Sequence, residues 1–222
     1  MTVEIFADIQ QGSPEWFAAR LGLATMSNAA TILAKGKDGG SSLTRKKYLN
    51  ELAAERITGE PGESYTNPYL ERGKTQEAEA RCLYAFAADI EPELVGFIRN
   101  GPKGCSPDAL LGTDGMLEVK TQLGHLQVEL LLADRFPPQH LAQCQGNLWV
   151  SEREWIDLAV YSPSLPLYVS RQYRLEDYIV TLAREVARFN EELEAIVERI
   201  RRYGMPLTTQ LEKSLAMEIQ NG

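Results

Sequence analysis

The chain has 222 residues, of which 44% are hydrophobic and 24% are charged, as is typical of a folded globular protein. Its apolar runs are too short to span a bilayer and its first residues lack a secretory signal pattern, so we expect no membrane association and a cytoplasmic location. A net charge of −8 opposes binding to a polyanion unless basic side chains are concentrated in one place.

The cysteines and histidines are too few and too scattered for a disulfide framework or a thiolate-bound metal site. Cys82, Cys105 and Cys144 are odd in number and far apart, which argues against a disulfide framework and a thiolate-bound zinc or iron–sulfur centre. Only His125 and His140 could serve as a base for a nucleophilic thiol. We therefore expect the three cysteines to be small buried hydrophobic residues.

The first part of the chain is predicted to be helical. Residues 16–33 are typical of two short helices, the second capped by Ser27, and further helices are expected over 44–58 and 75–89. Residues 35–47 carry five basic side chains against a single acid. This basic segment fits two interpretations equally, a local DNA-binding surface or a solvated loop.

In the middle of the chain, the spacing of hydrophobic residues changes from that of helices to that of short strands. Turns that contain glycine or proline join these strands. One helix is predicted within this region. The predicted strands are 94–100, 109–115, 116–121, 125–132, 155–162 and 165–174, and the helix is 138–150.

The last predicted element is a long helix over residues 176–203. Its apolar residues alternate in spacings of four and three, which makes one stripe: Leu182, Val186, Phe189, Leu193, Ile196 and Ile200. We expect this stripe to pack onto the body of the same domain. The pattern as a whole predicts an α/β fold in which helices flank a central mixed β-sheet, with residues 1–222 forming one domain.

Three charged residues are placed where chemistry is possible. In the predicted strand MLEVKT, Glu118 and Lys120 face one side, while Leu117 and Val119 face the other side and can enter the core. Asp108 lies far enough upstream for a hairpin to return its carboxylate beside Glu118.

Two neighbouring carboxylates repel each other unless a cation lies between them. Carboxylate oxygens favour Mg²⁺, with Mn²⁺ as a substitute, and such an ion can acidify a bound water and neutralise charge on phosphorus. A lysine beside the ion can orient the attacking group and steady a phosphate. Asp108, Glu118 and Lys120 therefore favour a phosphodiesterase, although Glu118 and Lys120 also fit an ordinary surface pair on a strand.

With these residues included, four ordered blocks resemble the lambda exonuclease (YqaJ-type viral recombinase) family of the PD-(D/E)xK nuclease superfamily. The blocks are GSPEWFAARLGLATMS, LERGKTQEAEARCLY, GCSPDALLGTDGMLEVKT and PPQHLAQCQGNLWV. The resemblance implies a restriction-endonuclease-like catalytic core over residues 70–175, with the helix over 176–203 outside it.

The resemblance also implies catalytic roles. Asp108 and Glu118 would bind Mg²⁺ together with the backbone carbonyl of Val119, and Lys120 would be the catalytic lysine. Glu77 would assist the metal site, although a first-turn position on a helix explains this acid as well. The resemblance assigns Gln145 to the scissile phosphate or its water; a solvent-facing glutamine is the alternative, and Gln143 has a weaker claim.

DNA contacts are implied in the same way. Arg20, Ser27 and Ser106 would bind the 5′-phosphate of a DNA end, and Lys37 would extend toward it from a loop. Leu70 occupies the position of an apolar wedge that separates the strands, and packing explains it equally well.

The activity implied by the resemblance is Mg²⁺-dependent 5′→3′ degradation of the 5′-phosphorylated strand of linear double-stranded DNA, which leaves a 3′ overhang for recombination. The implied assembly is a homotrimeric ring that loads on DNA ends, and the implied partner is a single-strand annealing protein. Two alternatives stay open: an endonuclease of restriction or junction-resolving type, and a non-catalytic DNA-binding protein with the same fold.

Overall fold

The computed structural model describes residues 2–37, 39–62 and 68–203, including their side chains except those of residues 68–74. The strands are β1 (Val3–Phe6), β2 (Ala24–Thr25), β3 (Phe97–Asn100), β4 (Lys103–Cys105), β5 (Ala109–Leu111), β6 (Gly115–Thr121), β7 (Trp155–Tyr161) and β8 (Tyr168–Tyr173). The α-helices are α1 (Pro14–Arg20), α2 (Ala29–Leu33), α3 (Leu43–Thr58), α4 (Pro68–Ala88), α5 (Gly124–Ala133), α6 (Leu141–Ser151) and α7 (Glu176–Arg201). Short 3-10 helices cover Met26–Asn28 and Pro138–His140.

The strands form two four-stranded mixed sheets, in the orders β1-β3-β4-β2 and β5-β6-β7-β8. A pair of backbone hydrogen bonds between Glu93 and Leu110 connects the two. The predicted α/β class, with mixed sheets and flanking helices, is confirmed, but the single central sheet is divided into two.

Helices cover both faces of the sheet that contains β6. The larger hydrophobic core combines residues of both sheets with α2, α3, α6 and α7. The smaller core joins α4 to the other face of β5, β6 and β7, through residues that include Ala80, Tyr84, Leu117 and Val119. β6 therefore lies between α6 on one side and α4 on the other.

Residues 125–132 were predicted as a strand and instead lie in α5. The burial of this segment is the reverse of what its hydrophobicity suggests. Leu126, Val128 and Leu132 are exposed, while the polar Gln127 is buried. The Gln127 amide donates to the carbonyls of Val160 and Pro166, at 3.0 and 2.8 Å. Moreover, β6 and β7 pair in parallel, so the chain between them needs a long crossover, which α5 and α6 provide.

Two smaller predictions were also wrong. Ser27 does not cap α2, because it lies inside the 3-10 helix and its hydroxyl is 3.2 Å from that of Thr25. Cys105 and Cys144 are buried as expected, whereas Cys82 is exposed.

The apolar stripe of α7 packs onto the body of the same chain, against α2, α3 and α6. Leu182, Val186, Phe189 and Leu193 are buried as predicted, but near the end of the helix Val197 is buried and Ile200 is half-exposed. Among the helices described, none is long and apolar enough to cross a membrane.

Candidate active site

The hairpin of β5 and β6 brings Asp108 to Glu118. The Asp108 N–H donates to the Leu117 carbonyl at 3.0 Å, and the Val119 N–H donates to Asp108 Oδ2 at 2.6 Å. The first bond continues the antiparallel ladder by one residue, and the second holds the Asp108 carboxylate against the backbone of β6. The hairpin expected from the sequence is thus present.

Residues of β6 alternate as predicted. Leu117 and Val119 enter the smaller core, while Glu118 and Lys120 project from the opposite face. Lys120 Nζ donates to Glu118 Oε1 at 2.7 Å. The two charged side chains therefore form an ion pair next to Asp108.

Two side-chain amides of α6 donate hydrogen bonds to the Glu118 carboxylate. Gln143 Nε2 donates to Glu118 Oε1 at 2.6 Å, and Asn147 Nδ2 donates to Glu118 Oε2 at 2.9 Å. Gln143 and Asn147 are four residues apart, so they lie on one face of the helix. Both oxygens of this 3% exposed carboxylate therefore have a hydrogen-bond donor, as a buried carboxylate requires.

The electrostatics of the site indicate excess negative charge around Asp108. Burial raises the pKa of Asp108 well above its usual range, and the carboxylates of Glu118 and Glu77 raise it further, against weaker effects of the Val119 N–H and Lys120. For Lys120, burial works to lower the pKa, but the neighbouring Glu118 carboxylate outweighs it and the net shift is upward.

His140 cannot add positive charge to this cluster near neutral pH. Burial lowers the pKa of its imidazole to about 4, and the charge of Lys120 contributes in the same direction. Among the described residues, Lys120 therefore supplies the positive charge in contact with Glu118.

A cavity of about 180 Å³ opens above these groups and collects most of the predicted site residues. Those lining it are Arg20, Ser27, Glu77, Ser106, Asp108, Glu118 and Lys120, accompanied by Gln11, Trp16, Thr25 and Gln143. Residues from α1, the first 3-10 helix, α4, β6 and α6 thus converge on one point.

Trp16 organises the end of the cavity that contains Arg20. Its indole N–H donates both to Ser106 Oγ at 2.9 Å and to the Gly96 carbonyl at 3.0 Å. The Arg20 guanidinium lies 4.0 Å from the centre of the indole ring and donates to Thr25 Oγ1 at 3.3 Å. Arg20 has no ion pair with a carboxylate in the described part of the chain, so its remaining donors can bind an anion.

Ser27 is held against α6 by a close helix contact. At Gly146 of α6, an added Cβ would lie 2.7 Å from Met26 Sδ, so only glycine lets the 3-10 helix approach this closely. The Ser27 hydroxyl therefore faces the same cavity as Gln143.

Gln145 requires a revision. Its side chain is fully buried and turns away from the cavity, accepting from the Leu175 N–H at 2.8 Å and donating to the Tyr173 carbonyl at 2.9 Å. Gln143 lines the cavity instead, with its amide donating to Glu118 Oε1. The sequence pattern misled because α6 is buried on nearly all sides, so polar residues also face the core.

The remaining predicted contacts do not reach the cavity. Lys37 is exposed on its loop and does not line the cavity. Arg45 of the basic segment is buried and pairs with Glu192 at 2.6 Å, which gives it a structural role. The side chain of Leu70, the predicted wedge, lies outside the described residues.

The donor set fits a magnesium ion that keeps water or substrate ligands. In the described residues, no three Asp, Glu, His or Cys side chains lie close enough to hold a metal by themselves. Asp108 and Glu118 could supply two carboxylates and Val119 a carbonyl, which suits Mg²⁺ because this ion usually keeps several waters. A cation here would also relieve the repulsion that raises the pKa of Asp108.

The comparisons with known proteins identify a family and a fold. A family model described as "YqaJ-like viral recombinase domain" matches residues 15–154. The fold is similar to that of an alkaline exonuclease (LHK-Exo) from Laribacter hongkongensis, with 30% sequence identity and a TM-score of 0.77 over 86% of this chain and 97% of that one. The same exonuclease in complex with dAMP matches with 30% identity and a TM-score of 0.78, with the same coverage.

A phage-related exonuclease from Haemophilus somnus 129PT shares the fold alone, with 14% identity and a TM-score of 0.60 over 80% of this chain and 96% of that one. Among curated protein sequences, none matches significantly.

Proposed function

The chain belongs to the YqaJ-like viral recombinase family, and from this premise we propose that it is a Mg²⁺-dependent 5′→3′ exonuclease of linear double-stranded DNA. One observation carries the proposal: a single cavity contains the pair of carboxylates, the lysine and the anion-binding residues Arg20 and Ser27. The likeness to an alkaline exonuclease supports a nuclease that acts on DNA.

The catalytic part of the proposal assigns a task to each residue. Asp108, Glu118 and the Val119 carbonyl hold Mg²⁺, which when bound acidifies water and neutralises charge on the phosphate. Lys120, which contacts Glu118 at 2.7 Å, steadies the phosphate and orients the attacking water. Gln143 lines the same cavity and donates to a substrate oxygen when it leaves Glu118.

Recognition of the DNA 5′ end is assigned to the end of the cavity that contains Arg20. Arg20 offers unused guanidinium donors, and Ser27 and Ser106 offer hydroxyls, so together they suit the oxygens of a terminal phosphate. A cavity of about 180 Å³ holds a small group rather than a continuing duplex. Binding the 5′-phosphate there places the first phosphodiester near Asp108 and Glu118, which yields 5′→3′ polarity.

We extend the proposal to assembly and partners. The viral recombinase description of the family supports cooperation with a single-strand annealing protein that receives the 3′ overhang. A homotrimeric ring would let the enzyme remain on a strand between cleavages. It would also shield the DNA from an outer surface with a net charge of −8 per chain.

The proposal predicts strand-selective digestion. With Mg²⁺ and a linear duplex that bears a 5′-phosphate on one strand, we expect loss of that strand alone, with a covalently closed circle left intact. Arg20→Gln should lower the preference for the phosphorylated strand roughly 10- to 100-fold, since a charge-assisted hydrogen bond contributes about 1.5–3 kcal/mol. Strand-specific fluorescent labels resolved on a denaturing gel measure both effects.

Other outcomes of this experiment discriminate between the alternatives. Cutting of the closed circle would replace the exonuclease by an endonuclease with the same catalytic residues. Binding of DNA without any metal-dependent cleavage would instead indicate a non-catalytic DNA-binding protein.

The α6 amide that contacts Glu118 from the buried side gives a second prediction. Asn147→Ala removes the donor to Glu118 Oε2 and frees the carboxylate to rotate, so we expect roughly tenfold weaker binding of Mn²⁺ or Mg²⁺. Isothermal titration calorimetry without DNA measures this affinity. Gln172→Ala, which removes a half-buried amide on β8 that donates to the Arg171 carbonyl, is the matched control. An unchanged cation affinity in a folded Asn147→Ala protein would refute the positioning role.

A further inference from the structure

A second cavity continues the active-site cavity beyond Asp108. It has a volume of about 450 Å³, within the range of about 300–1,000 Å³ typical of small-molecule sites. The two cavities share Gln11, Glu77 and Asp108 as lining residues. They therefore form one cleft, with the catalytic carboxylates at the junction.

The junction has a rigid floor. Gln11 Nε2 donates to the carbonyls of Val95 and Pro107, both at 3.0 Å, which ties the residue before α1 to the segments on either side of β3 and β4. Next to it, Gly96 has no room for a side chain, because an added Cβ would lie 2.1 Å from the Ile9 carbonyl oxygen. The cleft between the two cavities is thus a preformed surface.

Arg81 is the feature that indicates a ligand. It lies on α4 one turn after Glu77, lines the second cavity and is half-buried. It makes no hydrogen bond or ion pair with any residue in the described part of the chain. The buried Arg45, by contrast, pairs with the carboxylate of Glu192 at 2.6 Å. With no partner among the described residues, the Arg81 guanidinium retains its donors for an incoming anion.

The order of groups along the cleft identifies that anion. Arg20 and Ser27 lie at one end, Asp108 and Glu118 in the middle, and Arg81 beyond Asp108. A strand whose terminal phosphate lies at Arg20 and whose first phosphodiester lies at the carboxylates must continue toward Arg81. The wall there is formed by Ile9, Leu94 and Val95, and such an aliphatic surface suits a sugar or base better than a phosphate.

We propose that the second cavity binds the nucleotide that follows the scissile phosphate, and that Arg81 binds the phosphodiester on the 3′ side of that nucleotide. The proposal rests on the exonuclease function and its 5′→3′ polarity. Arg81 would be a second point of contact with the degraded strand. This contact holds the new 5′ end in the cleft after each cleavage.

The test is equilibrium binding without divalent cations, so that it does not depend on cleavage. Fluorescence anisotropy is measured with a 5′-phosphorylated oligonucleotide duplex, and with the same duplex carrying a neutral methylphosphonate at the second linkage. For wild type, we expect the neutral linkage to raise Kd about tenfold, the loss of one charge-assisted contact. Arg81→Gln should bind both duplexes with the higher Kd that wild type shows for the neutral linkage. Arg81→Lys should recover part of the tighter binding to the unmodified duplex.

Two controls isolate the contact. Arg184→Gln removes an arginine on α7 that is 74% exposed, so it reports the general effect of one lost positive charge. A methylphosphonate near the 3′ end of the same strand reports the loss of one negative charge elsewhere.

The proposal is overturned if the wild-type protein binds the two duplexes with equal Kd. This comparison does not depend on the folding of any variant. It is also overturned if the neutral linkage weakens Arg81→Gln as much as wild type. Failure of the exonuclease function is seen separately, as absence of strand degradation by wild type when Mg²⁺ is present.

Discussion

Lys120→Ala should lower the rate of DNA cleavage by roughly 10²–10³-fold, the usual cost of removing one preorganised electrostatic contact to a transition state. Lys120 Nζ lies 2.7 Å from Glu118 Oε1, and the lysine is the cation that faces the two carboxylates. Without it, the site retains its ligands for Mg²⁺ but loses the charge that steadies the phosphate. Single-turnover cleavage of a 5′-phosphorylated linear duplex at saturating Mg²⁺ measures this effect.

The control is Arg184→Ala. Arg184 is 74% exposed on α7 and lies 3.7 Å from Glu185 in a surface pair, so its loss should leave the cleavage rate unchanged. A Lys120→Ala protein that is folded and cleaves at the wild-type rate would remove Lys120 from the mechanism.

Phe189→Ala should lower the free energy of unfolding by about 3–5 kcal/mol. Phe189 on α7 is fully buried; its ring centre lies 5.4 Å from that of Tyr48, and the Arg45 guanidinium lies 5.2 Å from it. Truncation therefore leaves a cavity between α3 and α7 and removes the ring beneath a buried arginine. Urea denaturation followed by circular dichroism measures the change.

Val180→Ala on the same helix provides the comparison. Val180 is 67% exposed, so its truncation should change stability by no more than about 0.5 kcal/mol. Similar small effects of the two substitutions would mean that α7 does not pack on α3 as the structure shows.

The hairpin that brings Asp108 beside Glu118 and Lys120 could be predicted because its signals are local. Alternation along β6 separates Leu117 and Val119 from Glu118 and Lys120, and a short turn returns the chain from Asp108. These relationships involve only neighbouring residues and the two-residue period of a strand.

The errors occur where distant contacts decide the structure. α5 exposes leucines and buries Gln127, since the buried amide satisfies carbonyls of Val160 and Pro166 that lie far along the chain. Gln145 is buried and Gln143, the weaker candidate, lines the cavity, because α6 is enclosed on nearly all sides. The division into two sheets likewise depends on how β1 and β2 join β3 and β4, which no local pattern indicates.

Several contacts in and around the cavity had no distinct signal in the sequence. Trp16 and Arg20 are four residues apart on α1, a spacing that permits their stacking but does not predict the bond from Trp16 to Ser106. Asn147 follows Gln143 by one helical turn, yet its contact with Glu118 depends on the tertiary position of α6.

The most direct test of the central claim is to locate the metal and the DNA end together. The Lys120→Ala protein can be crystallised with Mn²⁺ and a 5′-phosphorylated duplex, and the ion identified by anomalous diffraction. We predict an Mn²⁺ ion bound by Asp108 and Glu118, with the terminal phosphate against Arg20 and Ser27. An ion held by other residues, or a DNA end bound outside this cavity, would contradict the assignment of the active site.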